Sequence, residues 1–325
     1  MSIAGGTVDT VRMAEDYWER RFRESNERAV LLAEASIPEL VEMYHVSGED
    51  IDFGSMVFEA LQRRPHADLL AAALVERRAR TVKRRDFAAS LISMATDSAA
   101  ERQANLPLLM AMLRDRSPRV VSAALQAMHS IQVSASGHAL GVRLRTRPED
   151  VPVEGWPAMP TILDLDALEL LAEHPSSEVR ESLARAMWLC GDTRAAALLL
   201  KLTRDDNEYV RGTAAYVFGE FRIAGGPMDG VIERLWEIAD TDPTGARFDA
   251  LAALVELGDA VAKARIEPEL TAALDAGLQQ GARYQLISLL WKDKDLVSDQ
   301  LKDRLAAEWR VNFRAQAPSE MFEDD

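Results

Sequence analysis

The sequence predicts an all-α solenoid built from stacked helix–turn–helix repeats. Three observations lead there: a composition dominated by Ala and Leu with only 6% aromatics, one short segment that recurs along the chain, and a polar turn ahead of each recurrence. Ala and Leu lose little freedom in a helix, whereas strand-rich chains lean on β-branched and aromatic residues. At 325 residues the chain is long enough for a large continuous core.

The recurring segment is clearest at Glu178-Val179-Arg180-Glu181-Ser182-Leu183-Ala184 and at Tyr209-Val210-Arg211-Gly212-Thr213-Ala214-Ala215. Two further copies begin at Gly245-Ala246-Arg247 and at Gly281-Ala282-Arg283, so the aligned arginines are 31, 36 and 36 residues apart. Upstream the frame fits Arg84-Arg85-Asp86-Phe87 and Val120-Val121-Ser122-Ala123, with Val121 standing where the others have Arg. Each copy follows a turn rich in helix-capping residues: Asp115 to Pro118, His174 to Ser177, Asp205 to Glu208, Asp240 to Pro243. Ahead of each turn lies another apolar-periodic segment, such as Ala167 to Ala172 or Ala195 to Leu202. The unit is therefore a helical pair, which buries its apolar face only by stacking on its neighbours.

These residues resemble the HEAT repeat, with Asp206, Val210, Arg211 and Ala214 or Ala215 as the best copy. The short period is similar to the HEAT-like repeats of the phycobilin lyase type. The resemblance covers roughly residues 80 to 295 and implies a right-handed α-solenoid. It also implies hydrogen bonds between turn acid and helix arginine that join stacked repeats, matched by Asp206 with Arg211 and by Asp242 with Arg247. Val121 and His174-Pro175 depart from this pattern, so an interruption of the ladder is expected there, before Arg180.

The expected organisation is an irregular helical cap over residues 1–80, a repeat solenoid over 81–314, and a disordered acidic tail over 315–325. Amphipathic helices are expected at Val11 to Glu24, Arg28 to Ser36, Phe53 to Gln62 and Leu69 to Arg80. The solenoid carries an insert at 134–160, in which Leu140, Val142 and Leu144 alternate with Gly141, Arg143 and Arg145. That period of two suggests a strand or hairpin, and a loop of this length is either functional or disordered. Arg143 and Arg145 are candidate contacts to a partner.

Chemistry of the enzymatic kinds is not signalled. The five histidines are scattered, no H-x-x-x-H pair exists, and the lone Cys190 excludes both a disulfide within the chain and a cysteine zinc site. Phosphate-cradling glycine loops and a nucleophile elbow are missing from the sequence. No cofactor or metal is therefore expected. The start, Met1 to Gly6, does not read as a signal peptide, and the apolar runs are too short to span a bilayer. A cytoplasmic protein without membrane contact is expected.

Charge points to the partner. The formal net charge is −15, and residues 161–325 hold 18 basic against 31 acidic side chains. Such a surface disfavours nucleic acid and attracts basic proteins. If the second helix of each pair lines a concave face, as the HEAT resemblance implies, its solvent side carries Glu181, Arg185 and Trp188. Tyr216 and Glu220 follow, then Phe248, Asp249 and Glu256, then Tyr284, Gln285 and Trp291. Core burial is the competing reading for each of these aromatics. The expected function is a non-enzymatic scaffold that clamps a basic protein, as a bacterial immunity protein or antitoxin does. The alternatives implied by the resemblance are a DNA glycosylase of the alkylation-repair kind and a lyase- or chaperone-like pigment-attachment factor. A basic cluster from Arg63 to Arg85 is the one feature that argues for nucleic acid; it could equally contact a membrane or the acidic half of another copy, or be a solvated helix face, and the oligomeric state stays open.

Overall fold

The computed structural model describes residues 27–47, 51–135, 164–188, 190, 192–224, 229–276, 290 and 295–309. Among them every regular element is helical. The chain divides into two compact units, Met1–Glu101 and Arg102–Asp325. The helix expected at Val11 to Glu24, the insert at 136–160, the sixth repeat copy at 281–287 and the tail at 315–325 lie outside the described residues.

In the first unit residues 27–34 are helical and are followed by α1 (Ile37–Val46), α2 (Ile51–Gln62), α3 (His66–Glu76) and α4 (Val82–Met94). Helix α1 starts at Ser36 because a capping box forms there: the Ser36 N–H donates to Glu39 Oε2 at 2.8 Å, with Pro38 in the first turn. Helices α3 and α4 pack as a pair around Leu69, Ala73, Phe87, Ala88 and Leu91. The basic cluster of this unit is largely structural. Arg64 donates to the carbonyls of Leu32, Ala33 and Ala35, the end of the helical stretch 27–34. Lys83 donates to the His45 carbonyl at the end of α1. Cations at helix C-termini meet unpaired carbonyls and the negative end of the helix dipole.

Helix α5 (Ala99–Met112) crosses the boundary between the units, and α6 (Pro118–Ala135) opens the regular part of the second. There follow α7 (Leu165–Glu169) with a 3₁₀ turn at Leu170–Glu173, α8 (Ser177–Ala186), α9 (Thr193–Leu202) and α10 (Glu208–Ala224). The last helices are α11 (Val231–Thr241), α12 (Ala246–Glu256), α13 (Ala260–Asp275) and α14 (Asp299–Trp309). The repeat copies at Arg85, Val121, Arg180, Arg211 and Arg247 are therefore the helices α4, α6, α8, α10 and α12. Within the second unit the second helices form one continuous layer, α6 on α8, α8 on α10 and α10 on α12. Their partners α7 with its 3₁₀ turn, α9 and α11 pack from the other side.

The core between the layers is Leu, Val and Ala, with Leu125, Leu183, Val210, Phe218, Leu235 and Leu251 fully buried. Burial of each large side chain contributes about 1.5–3 kcal/mol. Two glycines let α10 and α12 approach closely. A side chain at Gly219 would meet the Ala253 Cα at 3.2 Å and the Glu256 Cβ at 3.3 Å, and one at Gly212 would collide with the Asp249 carboxylate. The turns are set by capping acceptors: Asp192 takes the N–H of Arg194 at 2.8 Å, and Asn207 takes that of Tyr209 at 2.9 Å.

Candidate functional site

The layer of second helices presents the residues expected to meet a partner. Glu181, Arg185 and Trp188 lie on and just after α8, Tyr216 on α10, and Asp249 and Glu256 on α12, all at least partly accessible. The surface is continuous across the helices. His129 of α6 stacks near Trp188 with ring centroids 5.1 Å apart. Thr213 Oγ1 donates to Glu181 Oε1 at 3.4 Å, linking α10 to α8, and Asp249 lies over Gly212, linking α12 to α10. Glu181 also accepts from Arg185 at 2.9 Å within α8.

Phe248 requires a correction. Expected on the solvent side, it is only 5% exposed and belongs to the core, with the Arg247 guanidinium 5.3 Å from its ring. The adjacent Asp249, also expected on the solvent side, is partly accessible. The side chain of Glu220 and residues Tyr284, Gln285, Trp291, Arg143 and Arg145 lie outside the described ones. Cys190 is fully buried. No group of His, Cys, Asp and Glu among the described residues could hold a metal ion. None of their helices is long and apolar enough to cross a membrane.

Behind this face runs a ladder of arginines whose connections differ from the expected ones. Arg180 Nε and Nη2 grip both oxygens of Asp205 at 2.6 and 2.8 Å, and Nη2 also reaches Asp206 at 2.9 Å. Its Nη1 donates to the His174 carbonyl at 2.7 Å. Arg211 repeats the arrangement one unit on, with Asp242 at 2.7 and 3.3 Å and the carbonyls of Asp205 and Asp206 at 2.9 and 3.0 Å. Each arginine thus fastens its own turn and the acid of the following turn. Asp206 does not pair with Arg211, nor Asp242 with Arg247, which meets Glu269 instead. Arg180 itself makes a full rung, and the interruption falls at Val121 and His174, as the sequence pattern indicates. The gap lies one seam earlier, where Val121 replaces the arginine and His174 replaces the acid it would grip. Burial pushes the Asp205 and Asp242 carboxyls up, but the arginine bonds and backbone N–H groups outweigh it and hold both below the ordinary value.

A second ladder on the first helices runs in the opposite sense. Arg194 reaches back to Asp166 at 2.6 Å, Lys201 to Glu173 at 2.6 Å, Arg265 to Asp240 at 2.7 Å and Arg304 to Asp275 at 2.7 Å. Arg234 holds the Thr203 carbonyl at 2.6 Å. Sequence reasoning missed this set, because its cation–acid separations are irregular and no local motif marks them.

The HEAT repeat family matches residues 165–255, the span from α7 to near the end of α12. Among solved structures, Escherichia coli YibA is similar with a TM-score of 0.50 and 16% identity, over 90% of this chain and 93% of that one. A designed armadillo repeat protein has a TM-score of 0.40 at 16% identity, over 68% and 100% of the two chains. Kap121p, in a structure bound to Nup53p, has a TM-score of 0.48 at 17% identity, over 87% of this chain and 28% of that one. No curated protein matches. Paired helices in register, second helices stacked in one layer and a turn-to-helix arginine ladder make the chain an α-solenoid of helical pairs, whose residues 165–255 match the HEAT repeat.

Proposed function

We propose that the chain is a non-enzymatic protein-binding scaffold that takes a basic partner on its layer of second helices. The observation that carries this is the continuous surface from α6 to α12, on which Trp188 and Tyr216 stand among Glu181, Asp249 and Glu256. Aromatic side chains bury much area for few lost rotamers and so anchor interfaces. The electrostatics favour a cationic partner. Arg180, Arg211, Arg234 and Arg265 are engaged in the ladders, so the acidic excess of residues 161–325 is what a partner meets. The same balance speaks against a phosphate backbone. A finer reading is an immunity protein or antitoxin, whose basic toxin would be covered by this face.

The test is capture of host proteins on the full chain with salt elution, followed by affinity measurement with the purified partner. Tyr216→Ala and Glu181→Lys should each weaken a true partner by about tenfold or more. If nothing basic is retained, or if both variants bind as the parent does, the reading fails. A captured protein that is toxic when expressed alone would support the finer reading, and a harmless one would remove it.

A further inference from the structure

The first unit carries a second surface, of opposite charge. Its basic residues divide into two groups. Arg63, Arg64, Lys83, Arg84 and Arg85 are engaged: Arg63 with Glu59, Arg64 and Lys83 with helix-end carbonyls, and Arg84 with Glu76 and Glu42. Arg85 donates to the carbonyls of Ala79 and Arg80 at 3.3 and 3.0 Å. Arg77, Arg78 and Arg80 make no side-chain hydrogen bond or ion pair among the described residues. Arg78 and Arg80 are exposed, and Arg77 is partly so. Val75, in the last turn of α3 and with its carbonyl accepting the Arg78 N–H at 3.1 Å, is 69% exposed.

The turn that holds these arginines is fixed. The N–H groups of Arg77, Arg78 and Ala79 donate to Ala73, Val75 and Glu76, while Arg85 occupies the carbonyls at 79 and 80 from within. One cation at the end of α3 complements the helix dipole. Three within four residues repel one another, and among the described residues of the unit no acid pairs with them. Their arrangement is preorganised for an anion from outside.

We propose that the turn Arg77–Arg80, with Val75, is a docking surface for an acidic protein segment that carries two or more closely spaced carboxylates and one apolar side chain. Guanidinium forks match carboxylates two bonds at a time, and Val75 supplies the apolar contact. A nucleic acid fits less well. Its affinity needs many phosphate contacts in succession, and this patch offers three cations on a chain of net charge −15. With the acidic face of the second unit, the chain then holds two partners of opposite charge.

The test uses the full chain and two labelled probes in fluorescence anisotropy at low salt: a hexapeptide of Glu and Asp around a single Leu, and a single-stranded DNA of similar label. The peptide should bind, and Arg78→Glu with Arg80→Glu should weaken it by about tenfold or more. Val75→Asp should weaken it by about threefold, and Arg63→Glu, an exposed change on α2–α3, should leave it unchanged. Absence of peptide binding overturns the proposal. So does binding that the turn variants leave intact, or DNA that binds more tightly than the peptide through the same arginines.

Discussion

The seam between α6 and α8 and the seams on either side of α10 are made of equivalent helices at equivalent positions, yet they are held differently. At the α8–α10 and α10–α12 seams a guanidinium grips the next turn's aspartate with two bonds. At α6–α8 the place of the guanidinium is taken by Val121, 1% exposed, and that of the aspartate by His174. His174 still serves its own turn by accepting the Ser176 N–H at Nδ1, at 3.1 Å. Polar links across this seam include a buried hydroxyl pair, Ser122 with Ser182 at 2.7 Å, and a bond between His129 and the Arg185 main chain. The cation and its acid are missing together. A lone arginine or a lone aspartate would leave a half-buried charge without a partner, a cost the joint replacement avoids.

The largest effect should come from removing half of an intact rung. Asp242 is 8% exposed at its side chain and Arg211 16%. Asp242→Ala is expected to cost about 3 kcal/mol, read from urea unfolding of the second unit. A loss below about 1 kcal/mol would show that the rung is solvated and that the two kinds of seam are equivalent.

Acid should separate the seams by where they fail. Burial, and then the charge of Arg185, push the His129 pKa from 6.5 down to about 4, while a bond to the Arg185 main chain opposes the shift. Its unfolded form takes the proton first as pH falls, so stability drops between pH 6.5 and about 4, by about 3 kcal/mol at most. Asp205 and Asp242 have folded values below 3.8, so their contribution stays until pH falls below 3.8 and is lost through the lower folded value. Hydrogen exchange at pH 5 should therefore open α6 and α8 before α10 and α12, and His129→Phe should remove the difference. Equal protection of the four helices at pH 5 would contradict it.

A smaller effect tests whether the gap is a matched pair. Val121→Arg alone should cost about 2 kcal/mol, and adding His174→Asp should recover about half or more of it by building the missing rung. Additive losses would mean that the turn at 174–177 cannot take the acid. The smallest effect belongs to the outer ladder. Asp166 and Arg194 are both exposed, so Asp166→Asn should change stability by less than about 0.5 kcal/mol in the same urea measurement.

The repeat frame is legible in the sequence because helix starts are local. Asp192 and Asn207 cap within two or three residues, and the spacing of the frame places α4, α6, α8, α10 and α12. What joins one repeat to the next is not local. Asp206 sits five residues before Arg211 and invites a pairing within the turn, but its side chain is 92% exposed and meets Arg180. The arginine's direction is decided by the stacking of α8 on α10, which a single copy of the motif does not contain. On the candidate face the sequence located Glu181, Arg185, Trp188 and Tyr216 on accessible positions. It placed Asp249 on an accessible position as well, but set Phe248 beside it on the solvent side, where the structure buries the ring. The outer ladder left no trace, since Arg194 with Asp166 and Arg265 with Asp240 share no fixed interval.

The opposite senses of the two ladders give the repeats joined by Arg–Asp rungs a polarity. On the second helices a repeat offers a cation forward and a carboxylate backward, and on the first helices the reverse. Each Arg–Asp seam is then a plug and socket of one pattern, and any repeat cut between such seams can be duplicated or removed with its neighbours still mating. The Val121–His174 seam is a different connector. A repeat moved there would bring an arginine or an aspartate with no mate, so this junction fixes where the insert-bearing repeat sits while the array beyond it is free to change length.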